Sequence, residues 1–147
     1  VPVLLSRSEP PFTIFELDFS LEMLRENQTK HLKRAHLNFI NGNALQTPAP
    51  DQTFQWIIAL AVLPHLGDAL GAIREWSRII SPGGTLVLLH LMNSQELNEF
   101  HSQLEGIVKH DRLAPVTELA KLFSENGWTI DLKKERKELY LLIARKV

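Results

Sequence analysis

The eight consecutive apolar residues at 56–63 (WIIALAVL) limit most strongly how this chain can fold. The run is far short of the roughly 20 apolar residues that cross a membrane as a helix, and it has the length of a strand. It shows no alternation of polar and apolar positions, so a strand made from it buries both of its faces. Residues 85–92 (TLVLLHLM) repeat the pattern. Between the two runs, Leu70, Ile73, Trp76 or Ser77, and Ile80 recur at spacings of three and four. That spacing predicts a helix over 67–80, with Trp76 in the packing, and Ser81-Pro82-Gly83-Gly84 predicts its stop. Strand, crossover helix and strand, with both strands near-continuously apolar, imply a parallel sheet covered on both faces.

The rest of the chain continues this alternation. Residues 13–24 (TIFELDFSLEML) read as a buried strand ending at Asp18, followed by a helix that Ser20 caps and that Leu21, Met23 and Leu24 make apolar on one side. A carboxylate at the carboxyl end of a parallel strand can accept hydrogen bonds from a ribose diol, worth roughly 1.5–3 kcal/mol when charge-assisted. An acidic residue that merely ends a strand is the competing reading. Residues 38–44 (NFINGNA) predict a short strand and a turn, and 47–55 a proline-punctuated loop. A helix is expected over 94–110, with Leu97, Phe100, Leu104 and Ile107 or Val108 in its core stripe. Another is expected over 116–126, with Leu119, Ala120 and Phe123 buried and Gly127 as its C-terminal cap. Residues 128–132 and 139–144 then predict an antiparallel pair of strands at one edge. No repeat or linker divides the chain, so 1–147 reads as one domain.

Composition excludes several classes of function. Lys and Arg number 16 against 17 Asp and Glu, a net charge of −1, which supplies no field for nucleic acid or an anionic membrane. The basic cluster Lys133, Lys134, Arg136 and Lys137 is broken by Glu135 and Glu138 and reads as a solvated edge. Without cysteine there are no disulfides, thiolate nucleophiles or zinc–thiolate sites. The six histidines show no metal-ligand spacing, so no metal is expected; His31 and His36 stand five apart without a carboxylate partner. A cytoplasmic protein is expected.

Four segments in this order, ELDFSLEML, NGNALQTPAPDQTF, the strand end ALAVLPHL, and REWSRIISPGGTLVLL, resemble the class I S-adenosylmethionine-dependent methyltransferases, particularly their small-molecule branch. The resemblance runs over nearly the whole chain. It implies an α/β fold: a Rossmann-like methyltransferase sheet, mostly parallel, with an antiparallel C-terminal edge. The family also has a strand and a glycine-rich loop upstream of the acidic strand end. Residues 1–11 (VPVLLSRSEPP) contain no glycine, and residues 3–7 resemble the end of the helix that follows that loop. The domain therefore reads as N-terminally incomplete, its first strand missing. Since that strand lies centrally in the family sheet, an open apolar seam is expected, closed by a neighbouring strand or by a second chain as a homodimer.

The resemblance also assigns residues. Asp18 would hold the ribose hydroxyls of S-adenosylmethionine and Phe19 would pack on adenine, unless Phe19 is a core aromatic. Asn43 stands where the family often has an aspartate facing the adenine amino group, framed by Ala44 and Leu45; a simple turn at Asn41-Gly42-Asn43 is the other reading. Ala61, Val62 and Leu63 end the strand where the family's pocket opens. His65 is a candidate general base and substrate contact. Arg112, in His110-Asp111-Arg112, suits a carboxylate on the substrate, or else caps a helix. His90 reads as a hydrogen-bonded core histidine. The implied activity is methyl transfer to a small-molecule acceptor. A non-catalytic methyltransferase-like subunit or interaction domain is the alternative.

Overall fold

The computed structural model describes residues 13–30 and 36–147. The helix end expected at residues 3–7, and His31, lie outside these. Contacts divide the chain between Pro48 and Ala49 into two compact units.

In the first unit, β1 (Ile14–Asp18) and β2 (Leu37–Asn41) pair in parallel, with Ile14 opposite Leu37 and Asp18 opposite Asn41. The crossover between them contains α1 (Leu21–Lys30). Ser20 caps this helix as expected: its hydroxyl accepts from the Met23 amide at 3.3 Å and its carbonyl from the Leu24 amide. Leu24 alone of the expected apolar side is buried; Leu21 and Met23 are exposed.

The second unit is a four-stranded mixed sheet in the order β3 (Phe54–Leu60), β4 (Ile80–His90), β6 (Leu139–Lys146), β5 (Trp128–Arg136). β3 and β4 are parallel, and β6 runs antiparallel to both β4 and β5, which gives the expected antiparallel C-terminal edge. The helices of this unit are α2 (Ala69–Ile79), α3 (Ser94–Gln103) and α4 (Val116–Glu125). Short 3-10 turns occupy Leu63–Leu66 and Ile107–His110.

One face of this sheet is closed. Leu86 and Leu88 of β4 stand opposite Ala144 and Leu142 of β6, and all four are fully buried. Trp76 of α2 and Phe123 of α4 meet with ring centroids 6.4 Å apart, and Phe123 meets Trp128 of β5 edge-on at 5.5 Å. The Trp128 indole N–H donates to the Ser77 hydroxyl. Lys146 donates to the carbonyls of Ser77 and Ile80, where the C-terminal dipole of α2 favours a cation. The other face is open: Trp56, Ile58 and Leu60 of β3 and Leu132 of β5 are exposed on it. The expectation of a sheet buried on both sides therefore holds for one face of the described residues only. An apolar run reports what a strand can bury, and the covering helices α2 and α4 both lie on the same face.

Three further expectations change. Ser81-Pro82-Gly83-Gly84 ends the helix but lies within β4: Phe54 pairs with Ile80, then the register jumps so that Trp56 pairs with Thr85. Gly84 must be glycine there, because a Cβ would lie 2.7 Å from Ile80 Cγ1 and 2.8 Å from the Ser81 carbonyl. The helix expected over 94–110 is broken after Gln103, and Gly106 at φ 81° separates it from the 3-10 turn. Its buried residues are Ser94 and His101, while Phe100 and Ile107 are exposed. The basic residues Lys133, Lys134 and Arg136 are exposed at an edge as expected, but within the strand β5 rather than between two strands.

A β-bulge at Asp131 accounts for the placement of Glu135. Ile130 pairs with Ala144 and Leu132 with Ile143, so one extra residue shifts the alternation. Glu135 thereby joins Trp128 on the closed face, opposite Tyr140. Its carboxylate accepts from the Ser94 amide (2.8 Å), the Ser94 hydroxyl and the Val116 amide (2.7 Å), the first residues of α3 and α4. Burial opposes its ionisation most, yet these three donors together hold it below the usual carboxylate range.

Candidate functional site

In the first unit the residues of interest follow the carboxyl ends of two parallel strands, where α/β sheets bind ligands. Asp18 closes β1. Its Oδ1 accepts from the Ser20 amide at 2.7 Å, which fixes the carboxylate, and Oδ2 has no partner among the described residues. Phe19 projects beside it, 83 % exposed, so the reading as a core aromatic is excluded. Asn41, which sequence reasoning had treated only as part of a turn, donates from its amide to the carbonyls of Asp18 (3.1 Å) and Phe19 (2.8 Å) and locks the two strand ends together. Gly42 allows the close approach of Pro48, whose Cδ would lie 3.1 Å from an added Cβ. Asn43 does form a turn: Oδ1 accepts from the Leu45 amide at 2.9 Å, and its carbonyl accepts from the Gln46 amide. Its Nδ2 donates to nothing among the described residues. Ala44 and Leu45 are half-buried beside it.

In the second unit, β3 ends at Leu60, and Ala61 takes up a left-handed conformation (φ 51°) while its amide donates to the Leu89 carbonyl at 2.9 Å. A non-glycine residue in this region stores strain of order 1 kcal/mol, and such residues gather at functional sites. The 3-10 turn Leu63–Leu66 follows, with Leu63 and Pro64 buried and His65 half-exposed. His65 Nδ1 lies 2.7 Å from Asp111 Oδ2, across 46 residues of sequence. Asp111 is itself held at three points: its amide donates to the Val108 carbonyl, and its carbonyl accepts from His101 Nδ1 (3.1 Å) and Arg112 Nη1 (3.0 Å).

His101 is buried on α3, and its ring centroid is 5.3 Å from that of His65. Because a carbonyl only accepts, His101 Nδ1 carries a hydrogen. His90 ends β4, buried as expected, but its Nε2 has no hydrogen-bond partner among the described residues, which corrects the hydrogen-bonded reading. Burial, followed by the nearness of His65 and His101, lowers its pKa to about 4. Its ring meets the edge of Tyr140, whose hydroxyl donates to the Ala114 carbonyl. Arg112 Nη1 also donates to the Lys109 carbonyl, so the side chain caps its own turn. Among the described residues no group of histidines and carboxylates is arranged to hold a metal ion, and no helix is long and apolar enough to cross a membrane.

Residues 3–88 match the family model described as a methyltransferase domain, more than half of the chain. The chain belongs to this methyltransferase family. Curated relatives include the demethylmenaquinone methyltransferase of Lysinibacillus sphaericus, 34 % identical over 79 residues, which make up 54 % of this chain and 34 % of that protein. That of Bacillus licheniformis is 36 % identical over 73 residues, 50 % of this chain and 32 % of that protein. The chain thus spans about a third of the length of the curated relatives it matches. Its fold matches a solved S-adenosylmethionine-dependent methyltransferase of Aquifex aeolicus, with a TM-score of 0.75 at 16 % identity over 99 % of this chain and 75 % of the other. It also matches the cyclase SpnF, with a TM-score of 0.76 at 15 % identity over 99 % of this chain and 70 % of the other. The architecture is therefore the Rossmann-like sheet of class I methyltransferases. That a cyclase shares it means that fold alone does not assign methyl transfer.

Proposed function

We propose that this chain belongs to an S-adenosylmethionine-dependent methyltransferase that acts on a small molecule. The observation that carries the reading is Asp18, inside the segment matched by the family model. Its carboxylate is fixed through one oxygen at the end of a parallel strand, and its second oxygen is unpartnered among the described residues. That donor set fits the nucleoside half of the methyl donor: Oδ2 of Asp18 for a ribose hydroxyl, the exposed ring of Phe19 for adenine, and Nδ2 of Asn43 with the backbone of Ala44 for its edge. In the second unit Ala61, strained at the end of β3, is retained as a cofactor residue on family resemblance alone. When bound, the donor supplies a sulfonium methyl already activated for transfer, so the chain's own task is to bind and orient. On the acceptor side the reading retains His65, and Arg112 with Nε and Nη2 unpartnered among the described residues.

Calorimetric titration with S-adenosylmethionine and S-adenosylhomocysteine tests this. Saturable binding is expected, weakened at least tenfold by Asp18→Asn, which keeps an acceptor for the Ser20 amide and removes the charge. An unchanged dissociation constant removes Asp18 from the site, and absence of binding by folded protein favours a non-catalytic relative. A homodimer is part of the proposal, supported by the place of β3 at the end of the strand order among the described residues and by its exposed Trp56, Ile58 and Leu60. A molar mass in solution equal to that of one chain rejects it.

A further inference from the structure

The cluster His65, His90, His101 and Asp111 brings together four titratable residues from four separate segments of the second unit. A surface ion pair alone, worth about 0–1 kcal/mol, does not account for its construction. Asp111 is pinned through its backbone amide and carbonyl, so its carboxylate is presented rather than loosely paired. Because the carboxylate only accepts, His65 Nδ1 carries the hydrogen between them, and in the neutral ring Nε2 is then the nitrogen with the lone pair. Nε2 has no partner among the described residues, and the His65 side chain is 44 % exposed. Buried His101 packs on one side of the ring and holds Asp111 by its main chain. Around His65 the titratable and charged groups are therefore Asp111, with Lys109, His110 and Arg112 flanking it, His101 on α3, His90 at the end of β4, and Asp68 at the start of α2.

We propose that His65, oriented by Asp111 and His101, is a general base that takes the proton of an acidic hydroxyl, a phenol or enol, on the methyl acceptor. This rests on the methyl-transfer reading above. The acceptor's O–H proton goes to His65 Nε2 and the bonding pair stays on oxygen. Oxygen then forms the new bond to the methyl carbon as the carbon–sulfur bond breaks, its pair remaining on sulfur as a neutral thioether. The imidazolium faces the Asp111 carboxylate through Nδ1–H and returns its proton to water through Nε2. The acidity of the hydroxyl follows from proton-transfer driving force. Imidazole, near 6.5, lies about 3–4 pKa units below an ordinary phenol and far further below an aliphatic alcohol, which it cannot usefully ionise.

The chain carrying no methyl donor is titrated with 4-nitrophenol, whose phenolate is coloured, at a pH about one unit below the phenol's own pKa, where extra ionisation of bound phenol, as phenolate beside the imidazolium, reads as colour. Bound phenol is expected to be ionised to a fraction several-fold above that of free phenol at the same pH. In His65→Gln the ionised fraction should fall to that of free phenol. In Asp111→Ala it should fall several-fold, with recovery in Asp111→Glu; a merely structural ion pair would not move this signal. Native protein that binds the phenol without ionising it, ionisation that survives His65→Gln in full, or failure to bind the phenol at all overturns the proposal. Calorimetry with S-adenosylhomocysteine on His65→Gln keeps the two readings apart. Native-like affinity with lost ionisation isolates the base, whereas ionisation without any nucleoside binding leaves the base standing and removes methyl transfer.

Discussion

The two faces of the four-stranded sheet are built from the same kind of sequence and have different environments. On one, Leu86, Leu88, Leu142 and Ala144 lie under Trp76 and Phe123 and are sealed from water. On the other, Trp56, Ile58 and Leu60 belong to an equally apolar strand and are exposed. Burial of a large apolar side chain stabilises by about 1.5–3 kcal/mol, so the first face holds the fold together and the second contributes little of what its composition allows. An unbroken apolar run along a strand thus measures potential, and the helix that arrives decides which half of it is realised.

The largest effect that can break this comparison lies on the closed face. Phe123 is fully buried and touches both Trp76 and Trp128. Phe123→Ala should cost about 3–5 kcal/mol in urea unfolding, through lost transfer energy and the cavity left behind. A loss below about 1 kcal/mol would mean that the closed face is as dispensable as the open one.

His90 sits at the end of that closed face. Its folded pKa of about 4 lies below the ordinary 6.5, because burial and then His65 and His101 disfavour its charge. The neutral ring's contribution is therefore complete above about 6.5 and is lost as pH falls from there towards about 4. At about 1.4 kcal/mol per unit, stability should drop by about 3 kcal/mol across that window. In His90→Phe, which keeps an aromatic edge against Tyr140, that slope should disappear. Glu135, held low by its donors, loses its contribution only below the usual carboxylate range, so the two windows separate. An identical slope in the variant places the sensitivity elsewhere.

Sequence made the strands, their order and the helix caps legible, because each rests on local chemistry: strand-length apolar runs, Ser20 before Leu21, and Gly127 after α4 at φ 82°. It failed where partners are distant or where a terminator is weak. The core stripe carried through Phe100 and Ile107 assumed helix across Gly106, where the backbone turns out at φ 81°. His101 was missed because its partner is a main-chain carbonyl, and Glu135 because its donors lie 41 and 19 residues away. Of the candidate site, Asp18 could be named from its strand end, whereas Phe19 and Asn43 were named by family resemblance. The pairing of His65 with Asp111 had no local signal, although each had been singled out separately.

The smallest effect is the sharpest test of the contrast. Trp56 is 64 % exposed on the open face of β3, so Trp56→Thr, which preserves strand propensity, should shift stability by no more than about 0.5 kcal/mol. Its indole should also be reached by a soluble fluorescence quencher, unlike Trp76 and Trp128, once each tryptophan is isolated by substitution of the other two. A cost of several kcal/mol, or an indole shielded from quencher, would mean that this face is covered in solution. Dilution then distinguishes the cover: shielding lost at low protein concentration identifies a second copy, and shielding independent of concentration identifies a segment of the same chain. Either result would turn the contrast between the faces into a statement about what completes the sheet, because an apolar face of this length on an edge strand favours a partner wherever one is in reach.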